Sequence, residues 1–107
     1  MGRFIYAGAA TTAVDIEDRT LAHLRVVVMN KLRRNESFMF DVDIRDGSGR
    51  RSYWLSPGVA VQFHFFGSRN AQINRSWVEV LMSEASSPHG LTIVPEPEDT
   101  QRIPLQG

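Results

Sequence analysis

Gly67-Ser68-Arg69 lies between a strand pattern and a helix pattern, the setting in which backbone amides and a guanidinium hold an anion. The lysine-bearing glycine-rich loop of nucleotide phosphate sites is missing, and residues 68–73 separate Gly67 from Asn74, the expected helix cap. The competing expectation is a structural corner in which Arg69 and Asn74 satisfy backbone groups. Asp41 and Asp43 fall on one face of a strand, roughly 7 Å apart from strand rise, a spacing open to acid-base or metal chemistry. Solvated strand polarity explains the same pair without a ligand. His23, His64 and His89 fall on a helix, a strand and a loop, with no HxH or HExxH spacing, so no metal site is expected. Ser56 and Ser68 have no nucleophile-elbow context. Tyr53, Trp54, His64 and Phe66, with Arg50, Arg51 and Arg69 nearby, offer a stacking platform for single-stranded nucleic acid, a face for a partner subunit, or core. Strand alternation sends Tyr53 and Trp54 to opposite faces, so at least one of them is expected to be buried.

The elements that must carry these residues are legible as periodicities. Residues 3–8 and 12–17 read as a hairpin, with Val14 and Ile16 alternating against Asp15 and Glu17. Asp18 is the expected cap of a helix whose stripe is Leu21, Leu24, Val28 and Leu32, widened by Val27. Lys31, Arg33 and Arg34 at its end complement the negative carbonyl terminus and require no ligand. Phe38, Phe40, Val42 and Ile44 alternate with Met39, Asp41 and Asp43, a half-exposed strand. The turn at 45–50 carries an Asp-Gly pair, residues 51–55 return as a partner strand, and Val59, Val61, Phe63 and Phe65 form a third antiparallel strand of a meander. Trp77, Val78, Leu81, Met82 and Ala85 make a second helical stripe, capped by Asn74 or by Ser76, which has Glu79 at capping-box spacing. Residues 91–94 make a last short strand. The predicted fold is α+β, ββαβββαβ, a mainly antiparallel sheet with two amphipathic helices packed on one face. One domain over 1–95 and a disordered or extended acidic, proline-bearing tail over 96–107 are expected.

The 107 residues hold 12 Lys+Arg and 12 Asp+Glu, a net charge of zero, so bulk charge favours neither nucleic acid nor an anionic membrane. With no cysteine, disulfides, thiolate metal sites and cysteine nucleophiles are excluded. Residues 4–14 are uncharged and rich in small residues but too weakly hydrophobic for a signal peptide, and no apolar run approaches the ~20 residues of a membrane span. A soluble, cytoplasmic protein without a membrane partner is expected.

The blocks Arg19-Thr20-Leu21-Ala22-His23-Leu24, Lys31-Leu32-Arg33-Arg34, Trp54-Leu55-x-Pro57 and Gly67-Ser68-Arg69, within residues 1–97, resemble a family of small uncharacterised actinobacterial proteins. The chain is also similar to copies carried by actinobacterial phages, and such proteins are sometimes labelled ATP-dependent DNA ligases. The glycine-alanine stretch at 8–10 and the short 45–50 turn depart from the pattern. Ligase activity is excluded by chemistry. Lysine adenylation needs Lys-x-Asp-Gly, and the single lysine, Lys31, precedes Leu32-Arg33-Arg34. The label implies at most a DNA-processing or phage-host association.

The leading expectation is a non-enzymatic binding module without a cofactor. Its surface would be Arg50, Arg51, Trp54, Ser68, Arg69, Asn74 and Arg75, and its partner a protein or a nucleic acid. The alternatives are a small anion-binding or phosphoryl-handling enzyme, with Arg69 as clamp and Asp41, Asp43 or His64 for proton transfer, and a structural homo-oligomer.

Overall fold

The structure, a computed structural model, describes residues 1–44, 47–67 and 70–99. Its elements run β1 (Gly2–Tyr6), β2 (Ala9–Ile16), α1 (Asp18–Arg33), β3 (Phe38–Ile44), β4 (Gly49–Leu55), β5 (Val61–Phe65), α2 (Arg75–Ala85) and β6 (Leu91–Thr92). This is the expected α+β order, but the strands divide into two three-stranded sheets, β2-β1-β5 and β4-β3-β6, in place of one. All pairings are antiparallel except β3 with β6.

The meander breaks after β4. Residues 56–60, containing Pro57 and Gly58, form a connection longer than a two-residue hairpin turn, and β5 crosses to pair with β1. That placement sets Phe63 opposite Phe4 in the register, with ring centroids 5.5 Å apart. Phe4 itself is fully buried and also meets Phe40 at 5.4 Å and Tyr53 at 5.3 Å, both in the other sheet. One aromatic cluster therefore joins the two sheets, and edge-to-face pairs of this kind add about 0.5–1.5 kcal/mol each beyond area burial.

Hydrogen bonds from β4 side chains close the seam on the β1–β2 hairpin. Tyr53 Oη donates to the Thr12 carbonyl at 2.6 Å, and Arg51 Nη1 donates to the Ala13 carbonyl at 3.1 Å. In the other direction Tyr6 Oη donates to the Trp54 carbonyl at 2.7 Å. The alternation read in β3 holds: Phe38, Phe40 and Val42 are buried, and Asp43 is exposed.

Helix α1 buries Leu21, Leu24, Val27 and Val28, together with His23 and Lys31. Glu17 occupies its cap position without a side-chain bond. Asp18 is instead the first helical residue, and its carboxylate accepts from the backbone N–H of Gly67 at 2.8 Å and of Phe66 at 3.4 Å. Helix α2 is capped by Asn74, whose Oδ1 accepts from the Ser76 and Trp77 amides. His23 of α1 meets Asn74 at the start of α2, and Lys31 near the end of α1 meets Ser86 just past the end of α2, so the helices run in the same direction. Both helix starts lie at one end of the molecule.

The short β6 reaches its place through Gly90. This residue has φ +86°, and a Cβ there would sit 2.5 Å from the Met39 carbonyl oxygen. Only glycine combines that backbone conformation with that close approach.

Candidate functional site

Arg19 lies in the first turn of α1, where the positive end of the helix dipole disfavours a cation. Its compensation comes from Glu96, 77 residues further along the chain. Arg19 Nε donates to Oε1 at 2.8 Å and Nη2 to Oε2 at 2.6 Å, a two-pronged pair, while Nη1 donates to the Gln72 carbonyl at 3.1 Å. Asn74 completes the seat. While its Oδ1 caps α2, its Nδ2 donates to Glu96 Oε2 at 2.9 Å and to the Pro97 carbonyl at 2.8 Å. Asn74 is 4 % exposed, so folding fixes its orientation. Hydrogen bonds first from Arg19 and then from Asn74 lower the Glu96 carboxyl to about 2, against the usual 4.5. The same contact raises the Arg19 guanidinium above its ordinary value.

Behind this pair stands His23, fully buried. Its Nε2 accepts from the Asn74 amide at 2.8 Å, which requires the neutral ring with its proton on Nδ1, and Nδ1 donates to the Arg19 carbonyl at 2.8 Å. The ring packs on Trp77 with centroids 4.6 Å apart, and Trp77 Nε1 donates to the Val94 carbonyl at 3.0 Å. Val94 and Pro97 are thus each held by one hydrogen bond and Glu96 by three, and Glu96, Pro97 and Asp99 form one wall of an open cleft of about 660 Å³ whose other walls include Arg19, Gln72, Asn74 and Arg75.

The described members of the expected binding rim fall in three places. Arg50 and Trp54 project from β4 away from the core, and Arg50 borders an acidic cleft of about 370 Å³ with Asp15, Glu17, Asp41 and Asp43. Arg51, on the core side of the same strand, is committed to the Ala13 carbonyl. Asn74 and Arg75 belong to the helix-start cleft. Ser68 and Arg69 lie outside the described residues. The neighbouring Gly67 amide, part of the expected anion corner, already serves the Asp18 carboxylate.

The aromatic platform is likewise divided. Tyr53 is buried, Trp54 is 51 % exposed on one sheet, and His64 and Phe66 pair edge to face at 4.9 Å on and just beyond the edge of the other. Asp41 accepts from Ser52 Oγ across the strand pair, and Asp43 stands opposite Arg50. Among the described residues no group of three or more His, Asp or Glu side chains is placed to hold a metal. Lys31 is buried against Ser86 Oγ at 2.6 Å and Glu36 at 3.0 Å. No described helix is long and apolar enough to cross a membrane.

Sequence reasoning missed Arg19, Gln72 and Glu96 as parts of a site. The available signal was the arginine in a helix first turn, which calls for an anion from elsewhere in the chain.

Residues 1–96 match the model of a domain of unknown function, DUF7882, and the chain belongs to that family. No curated protein and no solved structure matches it.

Proposed function

We propose that the protein is a non-enzymatic binding module whose partner is another protein, engaged through the outer face of the β4-β3-β6 sheet. The observation that carries this reading is Trp54, half exposed on a regular strand, with its backbone carbonyl held by Tyr6. A tryptophan on a rigid element offers a large contact area at little ordering cost, the character of an interface anchor. In the register Trp54 stands opposite Met39, then Ser52 opposite Asp41, then Arg50 opposite Asp43, so the face grades from apolar to charged.

The charge on this face favours protein over nucleic acid. Asp41 and Asp43, with Asp15 and Glu17 in the adjoining cleft, outnumber Arg50, and a phosphate backbone would meet mostly carboxylates. The association with DNA-processing or phage genes implied by the resemblance would then run through a protein contact.

The test places a photo-crosslinking residue at Ser52, on the proposed face, and separately at Ser83, on the exposed side of α2, in cells that make the protein. Ser52 should capture a defined protein that Ser83 does not, and Trp54→Ala should abolish the capture. Capture of nucleic acid from position 52, or identical adducts from both positions with and without Trp54, would overturn the proposal.

A further inference from the structure

We infer that the seat built at the two helix starts by Arg19, Asn74 and Trp77 is a docking site for an extended, carboxylate-bearing peptide segment of a partner protein, and that residues 94–97 of this chain occupy it in place of that partner. This seat is separate from the Trp54 face. Its recognition chemistry is shown by the segment already in it. Arg19 grips both oxygens of Glu96, the buried Asn74 amide reaches Oε2 and the Pro97 carbonyl, and Trp77 Nε1 holds the Val94 carbonyl.

Asn74 and Trp77 each read a backbone carbonyl, and Arg19 and Asn74 both read the carboxylate. Any extended segment presents the carbonyls, so the carboxylate selects among segments. Prolines on both sides of Glu96 hold the chain extended and lower the ordering cost of docking. The seat is built before the segment arrives, because His23 fixes Asn74 from below and Gln72 fixes Arg19 from the side, and neither contact involves residues 94–97. The open cleft beside this seat is lined by Arg75, exposed, and by the acidic Asp99, so its charge is mixed and selection rests on the Arg19 and Asn74 contacts.

The resident Glu96 competes with any incoming carboxylate at high effective concentration because it is tethered. Removing its charge opens the seat. The test uses the full chain and a fluorescein-labelled peptide, Thr-Ile-Val-Pro-Glu-Pro-Glu-Asp, the sequence of residues 92–99, followed by anisotropy. Glu96→Ala and Glu96→Gln should bind the peptide at least about fivefold more tightly than the native chain. Adding Arg19→Ala to either variant should remove the gain, and a peptide with glutamine at its first glutamate should not show it. Circular dichroism confirms that each variant is folded. Equal binding by all chains, no binding to a folded Glu96→Gln chain, or indifference to the peptide's glutamate would each overturn the inference and leave the 94–97 contacts as structure only. Trp54→Ala should not alter this binding, which keeps the result independent of the sheet-face proposal.

Discussion

His23 shows how much of the site depends on one side chain. It takes the Asn74 amide on one nitrogen and gives its proton to the Arg19 carbonyl on the other, tying together the two residues that hold Glu96. Replacing it with alanine leaves a buried amide unsatisfied and a void beside Trp77, so His23→Ala should lower unfolding free energy by about 2–4 kcal/mol. His23→Gln, whose amide oxygen can still accept from Asn74, should cost clearly less. Urea denaturation measures both, and equal losses would mean that packing alone matters here. At Asn74 the two functions of one amide separate by mutation. Asn74→Ala should cost about 1 kcal/mol through the lost cap, whereas Asn74→Asp keeps the cap but sets a carboxylate against Glu96 and should destabilise the tail contacts in preference to the helix. Amide hydrogen exchange of residues 94–98 against that of α2 distinguishes the two. This pairing was partly legible: Asn74 is an evident cap in sequence, but a capping residue spends its oxygen on its own helix, and nothing local shows where its nitrogen points.

Single elements were the most readable scale, because their signals are local. The 3.6-residue stripes of α1 and α2 and the alternation in β3 depend only on near neighbours, and each appears where the periodicity puts it. Strand partners are chosen at long range. The pattern of β5 fits a half-buried strand against either β4 or β1, and what decides is whether Phe63 reaches Phe4, residues far apart in sequence. The five-residue connection before β5 was the one local hint. The seam between the sheets is also a property of elements, since it consists of side chains from one strand meeting carbonyls of another. Tyr53→Phe removes one such bond and leaves the partly buried Thr12 carbonyl without this donor, an expected loss of about 1 kcal/mol by thermal or chemical denaturation. Tyr6→Phe, at a more exposed bond, should cost less. If Tyr53→Phe is neutral, the Tyr53–Thr12 bond adds nothing to the seam beyond the aromatic cluster and the two remaining hydrogen bonds.

At the scale of the whole molecule the Arg19–Glu96 contact links folding to acidity. The Glu96 carboxyl sits near 2 when folded, against 4.5 in its ordinary state, so between these values the unfolded chain binds more protons. The stabilisation is therefore complete above about pH 4.5 and is lost as pH falls towards 2. Melting temperatures taken across that window should fall more steeply for the native chain than for Glu96→Gln, and parallel curves would show that the contact does not persist in solution. Its chemistry follows ordinary rules, but its partners lie at opposite ends of the chain, which is why the segment from Pro95 onward reads in sequence as having no reason to order. A position just upstream sets where that segment starts. Gly90 lets β6 come within touching distance of the Met39 backbone, and the chain then has only three residues, Leu91 to Ile93, before it must meet the tryptophan nitrogen at Val94. A methyl group at position 90 would work as a lever: by prising the last strand outward it would slacken the run to the helix starts and empty their seat without touching a single charge.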